Sequence, residues 1–349
     1  DSHALPPLPC QHMADCEVIR EGAYTIRPAT TDDREAILAT FNLVFSEGNP
    51  SFQPRSAAIW DWTFPDNPAG MQVYVAMTDD GTCAAQFASV PNRVRLRGKD
   101  VLFGQIVDSF AHPDHRAGLK RPGLWVSTAQ PMVAHFGDPE RNVVMYGFPV
   151  PHAFRIGQRF LGYHVIRTQN YLALDVGTPW DGDAGLVGEV SGFGDAAGAL
   201  FERVCPPKGA MAIRDEAFLT WRFTDNPLFD YRIGVVRNGD EWRGMAVFRC
   251  GAYTDTNQGL IVDWMVEGGD DEAAHALVAW ARDCAREDGE EQVGVSLADC
   301  DRWWLPLQEA GFRAAKTKYD LVGGNFVRRF TPDWLRHRWQ TTLADTDLV

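Results

Sequence analysis

The chain has 349 residues, enough for two domains of ordinary size that each bury a core. Its formal net charge of −14 argues against general nucleic-acid binding, which needs a basic surface to meet phosphates, and suits attraction of a cationic amine. No apolar run approaches the ~18 residues of a membrane span, and the seven cysteines follow no spaced framework, so reduced thiols in a cytoplasm are expected.

Residues 1–22 carry three prolines near their start and neither a basic start nor a long apolar stretch, so they read as a flexible arm and not as a secretory signal. Cys10, His12 and Cys16 have no fourth ligand near them, and no metal site is expected. The first strand is expected at Tyr24, followed by a helix start in which Thr30 and Asp33 have the spacing of a capping pair. That helix places Ile37, Leu38, Phe41, Val44 and Phe45 on one face. Val73–Met77, a turn at Asp79-Asp80-Gly81, Cys83–Ser89 and Asn92–Leu102 read as antiparallel strands. Phe103–Phe110 reads as a short buried strand, Leu124–Phe136 as a helix, Val143–Phe148 as a strand and Pro151–Leu161 as a helix closed by Gly162-Tyr163.

Between the buried strand and the helix at Leu124 lie two glycines and four potential cations, His115, Arg116, Lys120 and Arg121. The first amides of a helix lack intrahelical partners and sit at the positive end of its dipole, so this loop has the composition of an anion site. A phosphate group is the expected guest.

From Tyr24 to about Asp175 the order of these segments resembles the GNAT family of acyl-CoA-dependent N-acetyltransferases. The resemblance implies an α+β fold with a mixed, mostly antiparallel central sheet flanked by helices. It implies acetyl-CoA, or another acyl-CoA, as co-substrate and a small amine as acceptor, such as an amino sugar, an amino acid derivative or a biosynthetic intermediate. Backbone groups of Ser109, Phe110 and Ala111 would receive the pantetheine arm, and Arg116, Ala117, Gly118, Lys120, Arg121, Gly123 and Leu124 would hold the pyrophosphate. The loop departs from the family's Arg/Gln-x-x-Gly-x-Gly/Ala pattern: after Arg116 comes Gly118, and the next glycine arrives only at Gly123, which implies an insertion or a distorted loop.

The resemblance places Asp108 as the leading general base, with His112 and His152 as alternatives; Asp108 also reads as backbone support, and either histidine as a turn or cap residue. The family's acidic tyrosine falls here on Gln158. Tyr146 and Tyr163 are the nearby substitutes, each also readable as a core aromatic with its hydroxyl satisfied.

The second half echoes the first. Trp62-Thr63-Phe64-Pro65-Asp66-Asn67-Pro68 returns as Trp221-Arg222-Phe223-Thr224-Asp225-Asn226-Pro227, Gly104–Asp108 as Gly259–Asp263, and Gly162-Tyr163 as Gly311-Phe312, in the same order. At the place of the phosphate loop stands Glu267-Gly268-Gly269-Asp270-Asp271, whose acids would repel a pyrophosphate. The expected organisation is therefore an arm (1–22), a GNAT-like domain with the acyl-CoA loop (23–176), a linker (177–198) with an edge strand near Leu186–Val190, and a degenerate GNAT-like domain (199–349). Trp334–Asp347 reads as an amphipathic terminal segment docked on it. Two other readings stay open: an acyltransferase fed by an acyl carrier protein, and a non-catalytic binding or scaffold protein.

Overall fold

The structure is a computed structural model that describes residues 18–116, 122–254 and 256–348. The chain divides into two compact units. The first comprises the described residues up to Arg93 together with Asp100–Val165 and Val322–Pro332; the second comprises Val94–Lys99, Ile166–Leu321 and the described residues from Asp333.

The first unit is a sheet with helices on its faces. In chain order it has β1 (Ile19–Glu21), β2 (Tyr24–Pro28), α1 (Arg34–Ser46), α2 (Ala57–Thr63), β3 (Gln72–Thr78), β4 (Cys83–Leu96), β5 (Lys99–Ala111), α3 (Leu124–Phe136), β6 (Asn142–Gly147) and α4 (Pro151–Phe160). The strands lie in the order β1-β2-β3-β4-β5-β6. β1, β2, β3 and β4 pair antiparallel, whereas β5 and β6 are parallel. The core on one face joins Ile26, Tyr74, Ala85 and Phe87 to Ala129 and Met132 of α3. Thr30 and Asp33 form the expected capping box ahead of α1, and Gly162 ends α4 at φ +69°.

One expectation is corrected here. The sequence reading breaks the strands after Ser89 and after Leu102, but β4 runs unbroken through Pro91 to Leu96 and turns at Arg97-Gly98. Both turn residues have positive φ, 50° and 77°, the geometry of a two-residue hairpin loop. Arg97 is an unusual residue for that position, so composition alone hides the turn.

The second unit holds most of β7 (His164–Asp175), then β8 (Val187–Val190), α5 (Asp195–Val204), β9 (Ala210–Ala212), α6 (Glu216–Leu219) running into a π turn (Thr220–Thr224), β10 (Arg232–Asn238), β11 (Glu241–Ala252), β12 (Asn257–Val266), α7 (Asp271–Glu287), β13 (Gln292–Val295), α8 (Trp304–Glu309), most of β14 (Arg313–Asn325) and α9 (Pro332–Arg338). The strand order is β14-β7-β13-β12-β11-β10-β8, and β12 and β13 are its parallel pair. Small residues on α7, Ala273, Ala274, Ala276 and Ala281, let the helix lie close over the sheet beside Leu277 and Trp280. Within 177–198, the Trp180 indole donates to the His275 carbonyl at 2.9 Å and β8 pairs with β10, so this stretch is packed structure with an edge strand. The last residues of β14, Val322–Asn325, return to the first unit and pair antiparallel with β6.

Candidate active site

In the first unit the parallel pairing of β5 and β6 ends at Gln105 and Tyr146, and β5 continues to Ala111. Three residues past the last pair, Asp108 has φ +49°, a conformation costly for a residue with a Cβ. Its surroundings hold it there. The Gln86 side-chain amide on β4 donates to the Asp108 carbonyl at 2.8 Å, and the Arg55 guanidinium bonds the Asp108 carboxylate. Arg55 is itself fixed: Asn42 of α1 accepts from its backbone amide at 2.8 Å and donates to its carbonyl at 3.2 Å, while its guanidinium lies 4.2 Å over the Phe41 ring. Phe110 and Phe45 pack on the same ring, edge-on at 6.3 Å and tilted at 4.4 Å. The result is a positive-φ turn of the backbone just past the last β5–β6 pair, backed by an ion pair and aromatic rings.

Beyond this turn, the Ser109 hydroxyl turns back to the Val107 carbonyl at 3.1 Å, and the Ala111 carbonyl accepts from Arg116 Nε at 2.7 Å. Arg116 also pairs with Glu47 at 3.3 Å. His112 donates its amide to the Ala84 carbonyl and caps a short 3₁₀ turn, its Nδ1 accepting from the Asp114 amide at 3.2 Å. Ala117, Gly118, Lys120 and Arg121 lie outside the described residues. Gly123 enters α3 in extended backbone, and its carbonyl takes the amides of Val126 and Ser127, so those of Leu124 and Trp125 come before the first intrahelical bond. The Trp125 indole packs edge-on against Phe87 of β4 at 5.2 Å, turned toward the sheet.

The tyrosines are inside. Tyr146 on β6 is buried, with its hydroxyl accepting from Asn92 Nδ2 at 3.2 Å. Tyr163 lies under Gly157 of α4, where a Cβ would meet its ring at 2.2 Å, and burial pushes its hydroxyl's pKa well up. His152 is exposed in the first turn of α4. The structure thus brings Asp108, Ser109, Phe110 and Ala111 together at the parting, with Arg116 and His112 at its end.

In the second unit the parallel pairing of β12 and β13 ends at Ile261 and Val295, and Asp263 follows two residues later. Arg214 bonds it from Nε at 2.8 Å, and both side chains are fully buried. The carboxylate of Asp345 takes the other side of the same guanidinium at 2.8 and 2.9 Å, and Thr342 Oγ1 donates to Asp263 at 2.7 Å. At the start of α7, the Asp270 carboxylate caps the Ala273 amide and is held by two bonds from Arg243. The Val266 carbonyl is taken by the Trp303 indole at 2.9 Å.

Sequence reasoning missed Arg55, Gln86 and Asn42. The signal for Arg55 was available: it stands seven residues before Trp62, as Arg214 stands seven before Trp221. Among the described residues, no cluster of His, Cys, Asp or Glu could hold a metal ion, and no helix is long and apolar enough to cross a membrane.

A sequence model for the family described as "Acetyltransferase (GNAT) domain" matches residues 25–121, the stretch from β2 to the end of the loop before α3. The fold is that of the GNAT superfamily. The chain is similar in structure to a conserved protein from Enterococcus faecalis V583 described as "Probable N-Acyltransferase" (14% identity, TM-score 0.64, covering 86% of this chain and 71% of that one). It is also similar to a GCN5-related N-acetyltransferase from Anabaena variabilis (13%, TM-score 0.62, 86% and 72%). A third similar structure is Saccharomyces cerevisiae N-myristoyltransferase with bound myristoyl-CoA (12%, TM-score 0.56, 90% and 85%). No curated protein sequence matches.

Proposed function

We propose that the first unit is an acyl-CoA-dependent N-acyltransferase, with acetyl-CoA as donor and a small amine as acceptor, and that the second unit is a degenerate copy that binds no CoA. The observation that supports this most is the turn at Asp108: a strained backbone, buttressed by Arg55 and Gln86, just past the last β5–β6 pair and ahead of a helix start. Strain kept in place by two separate side chains is worth its cost where a site must be aimed.

In this reading the pantetheine arm lies along Ser109–Ala111, and the start of α3 with the loop before it takes the pyrophosphate. The neutral amine attacks the thioester carbonyl, the C–N bond forms and the C–S bond breaks. The amine's proton passes to Asp108, and the thiolate takes a proton from solvent. Neither Tyr146 nor Tyr163 serves as the acid, because both rings are buried and the Tyr146 hydroxyl is engaged by Asn92. His112 serves the turn, with its Nδ1 spent on a backbone amide.

The duplication rests on matched local devices. In each unit an arginine immediately precedes a helix cap (Arg55-Ser56, Arg214-Asp215) and pairs with the aspartate past the parallel strands (Asp108, Asp263). In each unit an asparagine one turn on folds its side chain onto the amide two residues later: Asn67 to Ala69 at 2.7 Å, Asn226 to Leu228 at 2.8 Å. The second unit's counterpart of the phosphate site is closed by Asp270, and an acid on those amides excludes an anion.

A thiol-release assay with acetyl-CoA and a panel of primary amines tests the activity. Amine-dependent release of CoA that falls at least 100-fold in Asp108→Asn, with acetyl-CoA binding intact, supports it; release that ignores both the amine and the substitution contradicts it.

A further inference from the structure

Residues 176–184 run along α7 in the second unit and are tied to it at two points. Toward the start of the helix, the His275 carbonyl takes the Trp180 indole at 2.9 Å, and the Asp181 carbonyl lies 2.9 Å from His275 Nδ1. Gly182 packs so closely there that a Cβ would meet the His275 carbonyl at 2.3 Å. Toward the end of the helix, Arg282 Nη2 donates to the Val176 carbonyl at 2.6 Å and also to that of Thr178, and Arg286 reaches the Val176 carbonyl as well. His275, Ala279, Arg282 and Arg286 follow the three- and four-residue spacing of one helix face, and Ala279, standing between the two ties, is too short to fill the gap. A cleft of about 410 Å³ remains, lined by Thr178, Trp180, Ala279, Arg282, Asp283 and Arg286 among others, all in the second unit.

Arg282 is the odd member of this wall. It is only 5% exposed, and Nη2 alone makes both of its bonds to the segment. Nε is buried without a hydrogen-bond partner, and Nη1 makes no bond among the described residues. Asp283, next in sequence, pairs with Arg286 instead, so that no carboxylate pairs with Arg282 among the described residues. Burial and the neighbouring Arg286 both push the Arg282 pKa down. A buried cation with idle donors and no counter-ion is costly, and holding two carbonyls does not call for one, since a neutral amide donates to them as well.

We infer that this cleft binds a small monocarboxylate, its charged group on Arg282 and its apolar body beside Trp180, whose ring centre lies 5.9 Å from that guanidinium. The two arginines and one aspartate of the lining leave a single positive charge in surplus, which matches a monoanion and not a phosphate dianion. A volume of this size belongs to the ordinary range of small-molecule sites. The site is independent of the transferase reading, which concerns the first unit.

Calorimetry on the full chain with benzoate, phenylacetate and butyrate, each beside its primary amide, and with inorganic phosphate tests the inference. At least one of the carboxylates is expected to bind at one site per chain, at least tenfold tighter than its amide and than phosphate. Ala279→Phe fills the cleft from a half-buried position and is expected to weaken that binding at least tenfold. Arg282→Gln, which keeps a donor for the two carbonyls, is expected to do the same. Urea midpoints near that of the parent show that the variants are folded, and Ala279→Phe decides alone if Arg282→Gln unfolds, because it leaves every Arg282 bond in place. A panel in which no carboxylate binds, amides or phosphate that bind as tightly, or binding that survives Ala279→Phe overturns the inference.

Discussion

Arg214 and Asp263 are both fully buried and joined at 2.8 Å, and Asp345 bonds the same guanidinium. Removing one member of a buried pair leaves the other uncompensated, which costs about 3–5 kcal/mol. Arg214→Ala is therefore expected to lower the urea midpoint of the second unit steeply. The same change at Arg55, whose side chain is partly solvated, is expected to cost less than Arg214→Ala, because water can partly compensate the Asp108 carboxylate. Equal losses in the two variants contradict a role for this difference in burial.

Tyr146→Phe removes a hydroxyl that accepts from Asn92, and a neutral hydrogen bond of this kind is worth about 1 kcal/mol. Tyr163→Phe removes a buried hydroxyl from a ring locked under Gly157. Both variants are expected to keep kcat within about threefold, since neither phenol is the acid of the reaction. A loss of 100-fold in either assigns it that role after all.

Asp33 supplies the pH test. Burial alone would raise its pKa, but the paired bonds from Arg27 at 2.7 and 2.8 Å and the Thr30 amide outweigh that and hold it below the usual value. A carboxyl whose folded pKa is depressed gives stability that is fully present above its unfolded value, near 4, and lost as pH falls through the folded one. Asp33→Asn is accordingly expected to be less stable than the parent at pH 7 and to approach it in acid, as the pH falls through the depressed folded pKa of Asp33. A stability gap that is the same at both pH values shows that the charge of Asp33 contributes nothing.

Asp270 closes the start of α7, and replacing a cap of this kind by alanine costs about 1 kcal/mol. Asp270→Ala is expected to destabilise the second unit without creating a CoA site there, because the Trp303 indole still occupies the Val266 carbonyl. A second equivalent of acetyl-CoA bound by this variant contradicts that expectation.

Much of the first unit was legible because its signals are local. The Thr30/Asp33 spacing, the four-residue repeat from Leu124 and the glycine at 162 each act over one turn of chain, and each element is present. The hairpin at Arg97-Gly98 was not, because its positive φ angles are imposed by the pairing of two long strands and not by the residues' own preferences. The same holds for the site. Asp108 and the Ser109–Ala111 strand could be placed by order along the chain, but Arg55 reaches Asp108 across 53 positions and Gln86 across 22, and no periodicity connects them. The terminal segment read as an amphipathic piece docked on the second unit; that Asp345 would close on Arg214 is a long-range fact of the same kind.

The central claim is one working acyl-CoA site per chain, at the parting of β5 and β6. Isothermal titration with acetyl-CoA tests it most directly. The account predicts a single class of site with a stoichiometry of one per chain, and an affinity weakened at least tenfold by combined substitution of Arg116 and Arg121. No binding at all, or two equivalents per chain, would contradict it.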